Sequence, residues 1–302
     1  MKRRLRTSMA TVMLLSMGGS FGWADEPSGV ETADADSRDL PTQSDAQKQA
    51  AAAVQPSGVE TLDEYTPPGE IAARAFGDPP DAKRLSGRNL WIDRDRHRVI
   101  ADGYVAMRDG PLEMFACGAG TKEHESVVGV IPEASEMHAA LLAIGAQVGT
   151  SVRFHPRYVP ATGQRIRVWV LWPKDGSKDG DAKFNVVDAR QWVLRRQAPA
   201  QPMDTDWVFA GSQIWEDSDG TTHYSADGGD MICVSNFASA MLDVPVSSSA
   251  QAGQLLYEPN TDEIPPSRTP LRLVLEPIPM HDGSGEVKLP EKPDPKTVFP
   301  AE

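Results

Sequence analysis

Between residues 89 and 276 the chain consists of short apolar runs broken by turn residues, which predicts a β-rich domain. The clearest run is 165–172, where Ile166, Val168 and Val170 alternate with Arg165, Arg167 and Trp169. A period of two places the aliphatic side chains on one face of a strand. Residues 89–93 and 99–107 flank a charged turn, and Arg108-Asp109-Gly110 leads into 112–117, a pattern that predicts a meander of neighbouring antiparallel strands. Further strands are predicted at 184–187, 207–215, 222–226, 231–235 and 271–276, with turns at Asp217-Ser218-Asp219-Gly220 and Asp227-Gly228-Gly229. One segment, about 132–144, has a helical period: Met137, Ala140, Leu141 and Ile144 form its stripe, Pro132 opens it, Glu133 and Glu136 lie in its first turns and Gly145 closes it. The fold class this predicts is α+β, predominantly antiparallel β, either sandwich-like or a sheet with one packed helix.

The pattern fades on both sides of a single domain at 82–278. Residues 25–80 are rich in Asp, Glu, Ala, Gln, Ser and Pro, with no aromatic residue before Tyr65, and predict a disordered acidic linker because so few apolar groups cannot offset the ordering entropy. Within it Pro27-Ser28-Gly29-Val30-Glu31-Thr32 recurs at residues 56–61, read as a short duplication in an unconstrained stretch. Residues 279–302, punctuated by Pro290, Pro293, Pro295 and Pro300, predict a disordered tail.

The first 24 residues have the parts of a secretory signal peptide: Lys2, Arg3, Arg4 and Arg6, then an apolar stretch at 9–21, then Gly22-Trp23-Ala24. Cleavage is expected between Ala24 and Asp25, with the mature product periplasmic or extracellular. The apolar stretch is too short to remain as a transmembrane anchor, and it contains no cysteine for a lipid anchor. Cleavage would remove four basic and no acidic residues, taking the formal charge from −13 to −17. Such a balance repels phosphate backbones and anionic membranes, so nucleic acid is not an expected partner.

Export also bears on Cys117 and Cys233, which are either a disulfide or two buried small hydrophobes. Two thiols cannot supply the four ligands of a conventional iron–sulfur cluster. The segment densest in chemistry is Gly118-Ala119-Gly120-Thr121-Lys122-Glu123-His124-Glu125-Ser126, where glycine lets the backbone turn tightly. Lys122, Glu123, His124 and Glu125 there, with His138 returning from the helix, could bind a divalent metal or move a proton, although no HExxH or CxxC spacing accompanies them. The plainer reading is a charged strand-to-helix loop.

The run from Gly110 to Cys117, the Gly120-Thr121-Lys122-Glu123-His124-Glu125-Ser126 core and Met137-His138-Ala139-Ala140-Leu141 resemble the YdjY domain family of exported bacterial proteins. Trp207-Val208-Phe209-Ala210-Gly211-Ser212 and Tyr224-Ser225-Ala226-Asp227 extend the resemblance, which spans about 85–241. It implies a domain and no mechanism. Two functions therefore stay open. One is a non-catalytic exported domain that binds a ligand, partner or the envelope through its β surface, aided by Trp91, Trp169, Trp172, Trp192, Trp207 and Trp215. The other is a metal-dependent or acid–base enzyme using the 122–125 loop with His138.

Overall fold

The structure is a computed structural model that describes residues 66–174, 183–251, 253–280 and 287–300. The predicted signal peptide, its cleavage position and residues 25–65 of the acidic stretch lie outside the described residues. Along the chain come helix α1 (Pro68–Ala75), strands β1 (Lys83–Ser86), β2 (Leu90–Asp93), β3 (Arg98–Val105), β4 (Met114–Gly118) and β5 (Ser126–Val130), and helix α2 (Ala134–Ala143). Strands β6 (Arg165–Pro173), β7 (Phe184–Asp188), β8 (Val193–Arg195), β9 (Gln201–Pro202), β10 (Trp207–Phe209), β11 (Ile214–Glu216) and β12 (Thr222–Tyr224) follow. The last are β13 (Ile232–Cys233), β14 (Leu242–Asp243), β15 (Tyr257–Pro259) and β16 (Pro270–Pro277).

Eight of these strands close on themselves in the order β3-β16-β6-β10-β14-β13-β4-β5, with β5 returning to β3. The expected sandwich, or sheet with a packed helix, is thereby corrected to a closed mixed β-barrel with only two short α-helices among the described residues. The pairing is antiparallel except for β4 with β5 and β13 with β14, which run parallel. The predicted meander is corrected too: β2 and β3 form the antiparallel hairpin, but β4 pairs with β5 and β13, not with β3.

Closure depends on two glycines at the seam, where Gly103 faces Val130 and Tyr104 faces Gly129. A Cβ on Gly103 would lie 2.6 Å from the Gly129 carbonyl oxygen, and one on Gly129 would lie 2.6 Å from the Tyr104 ring. Any side chain there would force the two strands apart.

The barrel interior holds the predicted strand face of Ile166, Val168 and Val170, together with Leu271, Leu273, Leu275, Phe115, Trp207 and Phe209. Met137, Ala140 and Leu141 of α2 join the same core. The helix starts at Ala134, two residues after the predicted Pro132, with the Glu133 and Glu136 side chains accepting from backbone N–H groups in a capping box, and Gly145 follows it at φ 89°. A second apolar layer covers the outer face of β3, β16 and β6: Trp91, Ile100, Trp169 and Val274 pack with Val298, Phe299 and Phe76. Strands covered on both faces lose the alternation that marks a half-exposed sheet. Packed structure therefore extends past 82–278 at both ends, through α1 and through the turn Pro295–Thr297.

Candidate functional site

The charged loop folds into a 3₁₀ turn, Glu123–Glu125, between β4 and β5, and its side chains do not converge on one point. Lys122 Nζ pairs with Asp230 at 2.9 Å and with Glu125 at 3.7 Å, and lies 5.1 Å from the centre of the Phe237 ring. Burial pulls its pKa down, but the hydrogen bond and charge of Asp230, helped by Glu125, outweigh this and hold it above the usual lysine value. Gly229, at φ 120°, gives the lysine stem room, since a Cβ there would lie 2.7 Å from Lys122 Cγ. Glu123 accepts from the Tyr104 hydroxyl and, at 2.7 Å, from the Gly120 N–H. His124 is 77% exposed and comes no nearer to Glu125 than 3.9 Å. The structure thus joins Lys122 to Glu125 and leaves Glu123 and His124 outside that pair. Among the described residues, no three of His, Cys, Asp and Glu form a group able to hold a metal ion.

Both cysteines are buried and unbridged. The register of β4 against β13 sets Cys233 opposite Met114. The Cys117 thiol lies among Thr121, Ser126 and the Lys122 backbone, and burial pushes it up; burial pushes Cys233 up further.

His138 belongs to a different place, a groove of about 370 Å³ between α2 and the β11–β12 hairpin. Its ring lies 4.8 Å from Phe209, edge to face, and its Nδ1 is 2.8 Å from the Tyr224 hydroxyl. That hydroxyl also lies 3.2 Å from the Gly211 carbonyl. Gly211 holds φ 91° beside Val148, whose Cγ2 a Cβ would meet at 2.2 Å. Burial lowers the His138 pKa and raises that of Tyr224. Asp227 completes the wall, accepting the Ser135 N–H at 2.8 Å in the first turn of α2. His223 lines the outer side, bonded to Asp217 at 2.9 Å and stacked on Trp215 with ring centres 4.3 Å apart.

The rim of the groove is apolar and exposed, with Leu142 and with Ile214 at 72%; Trp215, on the other face of β11 and outside the groove lining, is 51% exposed. Trp91, Trp192 and Trp207 are by contrast fully buried, and Trp169 nearly so. Exposure was the property that would separate a binding tryptophan from a core one, and Trp215 has it. The sequence reading missed Tyr224, Asp227 and His223, taking 227–229 as a plain turn. The available signal was that His138, Gly211, Tyr224 and Asp227 fall in three separate segments of the family resemblance, which meet only in the folded chain.

A closed mixed barrel carrying one such groove on its flank defines the class of the molecule. The family model named YdjY domain matches residues 90–276, and the chain belongs to that family. No curated protein and no solved structure matches it.

Proposed function

We propose that this YdjY-domain protein is an exported, non-catalytic binding domain whose ligand seats in the groove between α2 and the β11–β12 hairpin. The observation that carries the reading is the exposed apolar rim of Leu142 and Ile214 beside the partly buried His138–Tyr224 pair. An apolar wall with a few fixed polar groups is the general form of a small-molecule site. The basic start, apolar stretch and small residues before Asp25 support export to the periplasm or the medium. The loop residues named for acid–base chemistry support an ion-paired brace instead, because Lys122 is held by Asp230, Glu123 by Tyr104, and His124 faces solvent.

The test is a protein-observed NMR titration of small amphipathic fragments against the protein and Ile214→Asp, a change at an exposed position. The proposal expects hits that shift the Tyr224 ring resonances and lose affinity by about tenfold or more in the variant. Hits that leave Tyr224 unperturbed and bind the variant equally would overturn it.

A further inference from the structure

The hydrogen bonds around the groove decide which polar group it can receive. A carbonyl oxygen only accepts, so the Tyr224 hydroxyl directs its proton to Gly211 O, 3.2 Å away. Both contacts are hydrogen bonds at once only if the hydroxyl accepts from His138 Nδ1–H at 2.8 Å, an arrangement that leaves Nε2 with its lone pair free. Burial keeps the ring neutral by lowering its pKa. No residue among those described bonds to Nε2, and His138 lines the groove. Asp227 uses Oδ1 for the Ser135 N–H, and its Oδ2 has no protein partner among the described residues.

The unsatisfied groups of His138 and Asp227 are therefore acceptors, one of them a carboxylate oxygen, while His223 on the outer side is engaged by Asp217. None of the lining side chains is lysine or arginine. Ser135 and Thr222 also face the groove, and their hydroxyls can serve either role, so they do not discriminate. An anion would meet the Asp227 charge and the His138 lone pair together. A cation with N–H groups would satisfy both, and the negative charge of the whole chain, −13, would favour its approach.

We propose that the groove selects a small organic ammonium ion, a protonated primary amine on an apolar body, with its N–H groups directed to His138 Nε2 and Asp227 Oδ2. The apolar body lies against Leu142 and Ile214. A volume of about 370 Å³ suits a small free molecule. This deepens the binding reading above and rests on it.

Calorimetric titration at neutral pH with phenethylamine, 2-phenylethanol and 3-phenylpropionate separates the two claims, because the probes share an aromatic body and differ in the polar end. The amine should bind the parent at least about tenfold more tightly than the alcohol, and the acid more weakly than either. Asp227→Asn keeps an acceptor for the Ser135 N–H and removes the charge. It should weaken the amine by about tenfold or more and leave the alcohol within about twofold. If the acid or alcohol binds the parent as well as the amine does, the ammonium inference falls while the groove reading stands, whatever the variant does. An amine affinity unchanged in a folded Asp227→Asn protein has the same consequence. If none of the three binds at about 10 mM, the groove reading falls with it.

Discussion

Arg272 of β16 lies directly opposite Asp102 of β3, with Nε 2.7 Å from Oδ1 and both side chains fully buried. Three rings surround the guanidinium: Trp91 and Phe299 at 5.0 Å and Phe76 at 5.2 Å. Its remaining N–H groups donate to the carbonyls of Gly77 and Val298. One side chain thus fastens the segment after α1 and the segment after Pro295–Thr297 to the outside of the barrel. The aromatic layer and the ion pair stabilise the same packing.

Removing one partner of a buried pair strands the other charge, so Arg272→Ala should lower unfolding free energy by about 3–5 kcal/mol in urea titrations. Arg88→Ala is the control. It breaks a pair with Glu133 in which both side chains are about half exposed, and it should cost less than about 1 kcal/mol. Equal losses would show that Arg272 is not the fastening.

Asp243 predicts a pH dependence. Burial pushes its carboxyl up to about 7, although Asn236 Nδ2 and the Val244 N–H donate to Oδ1. A folded pKa above the unfolded value near 4 means the folded state holds the proton more tightly. This contribution is complete below about pH 4 and is lost as pH rises towards 7. Urea midpoints at pH 5 and pH 8 should show the parent losing on the order of 2 kcal/mol more than Asp243→Asn over that interval.

The two thiols should behave as inert core groups. Cys117 and Cys233 are buried and unbridged, and burial raises both pKa values, so the thiolate that reacts is scarce at neutral pH. Folded protein should react slowly with a thiol reagent and at two sites per chain once denatured in the absence of reductant. A Cys117–Cys233 peptide pair in non-reducing mass spectrometry would contradict this.

Most strands were legible as short apolar runs between turn signals, down to β12 and β13, and one helix was legible from its period and cap. Helix α2 carries Pro132, Glu133, Glu136 and Gly145, and β6 alternates over most of its length. Barrel closure was hidden because short apolar runs do not say which strands pair, because β14 is two residues, too short for any periodicity, and because the seam needs Gly103 and Gly129 to meet. Strands β3 and β16 were both expected, but their pairing was not, because Asp102 and Arg272 look like surface residues until they face one another. At the site, the sequence picked out His138 but paired it with a loop close in the chain. Its actual partner, Tyr224, lies 86 residues away. The 122–125 loop is as polar as its composition implies, yet Asp230 and Tyr104 from elsewhere determine what its side chains do.

The groove account turns on His138 presenting a free Nε2 to a ligand, and nitrogen-15 NMR of the histidine rings reads this directly. His138 should show a protonated Nδ1 and an unprotonated Nε2, and added phenethylamine should shift the Nε2 resonance while leaving solvent-facing His124 in place. A proton on Nε2 in the free protein, or a His138 ring that does not respond to saturating amine, would contradict it.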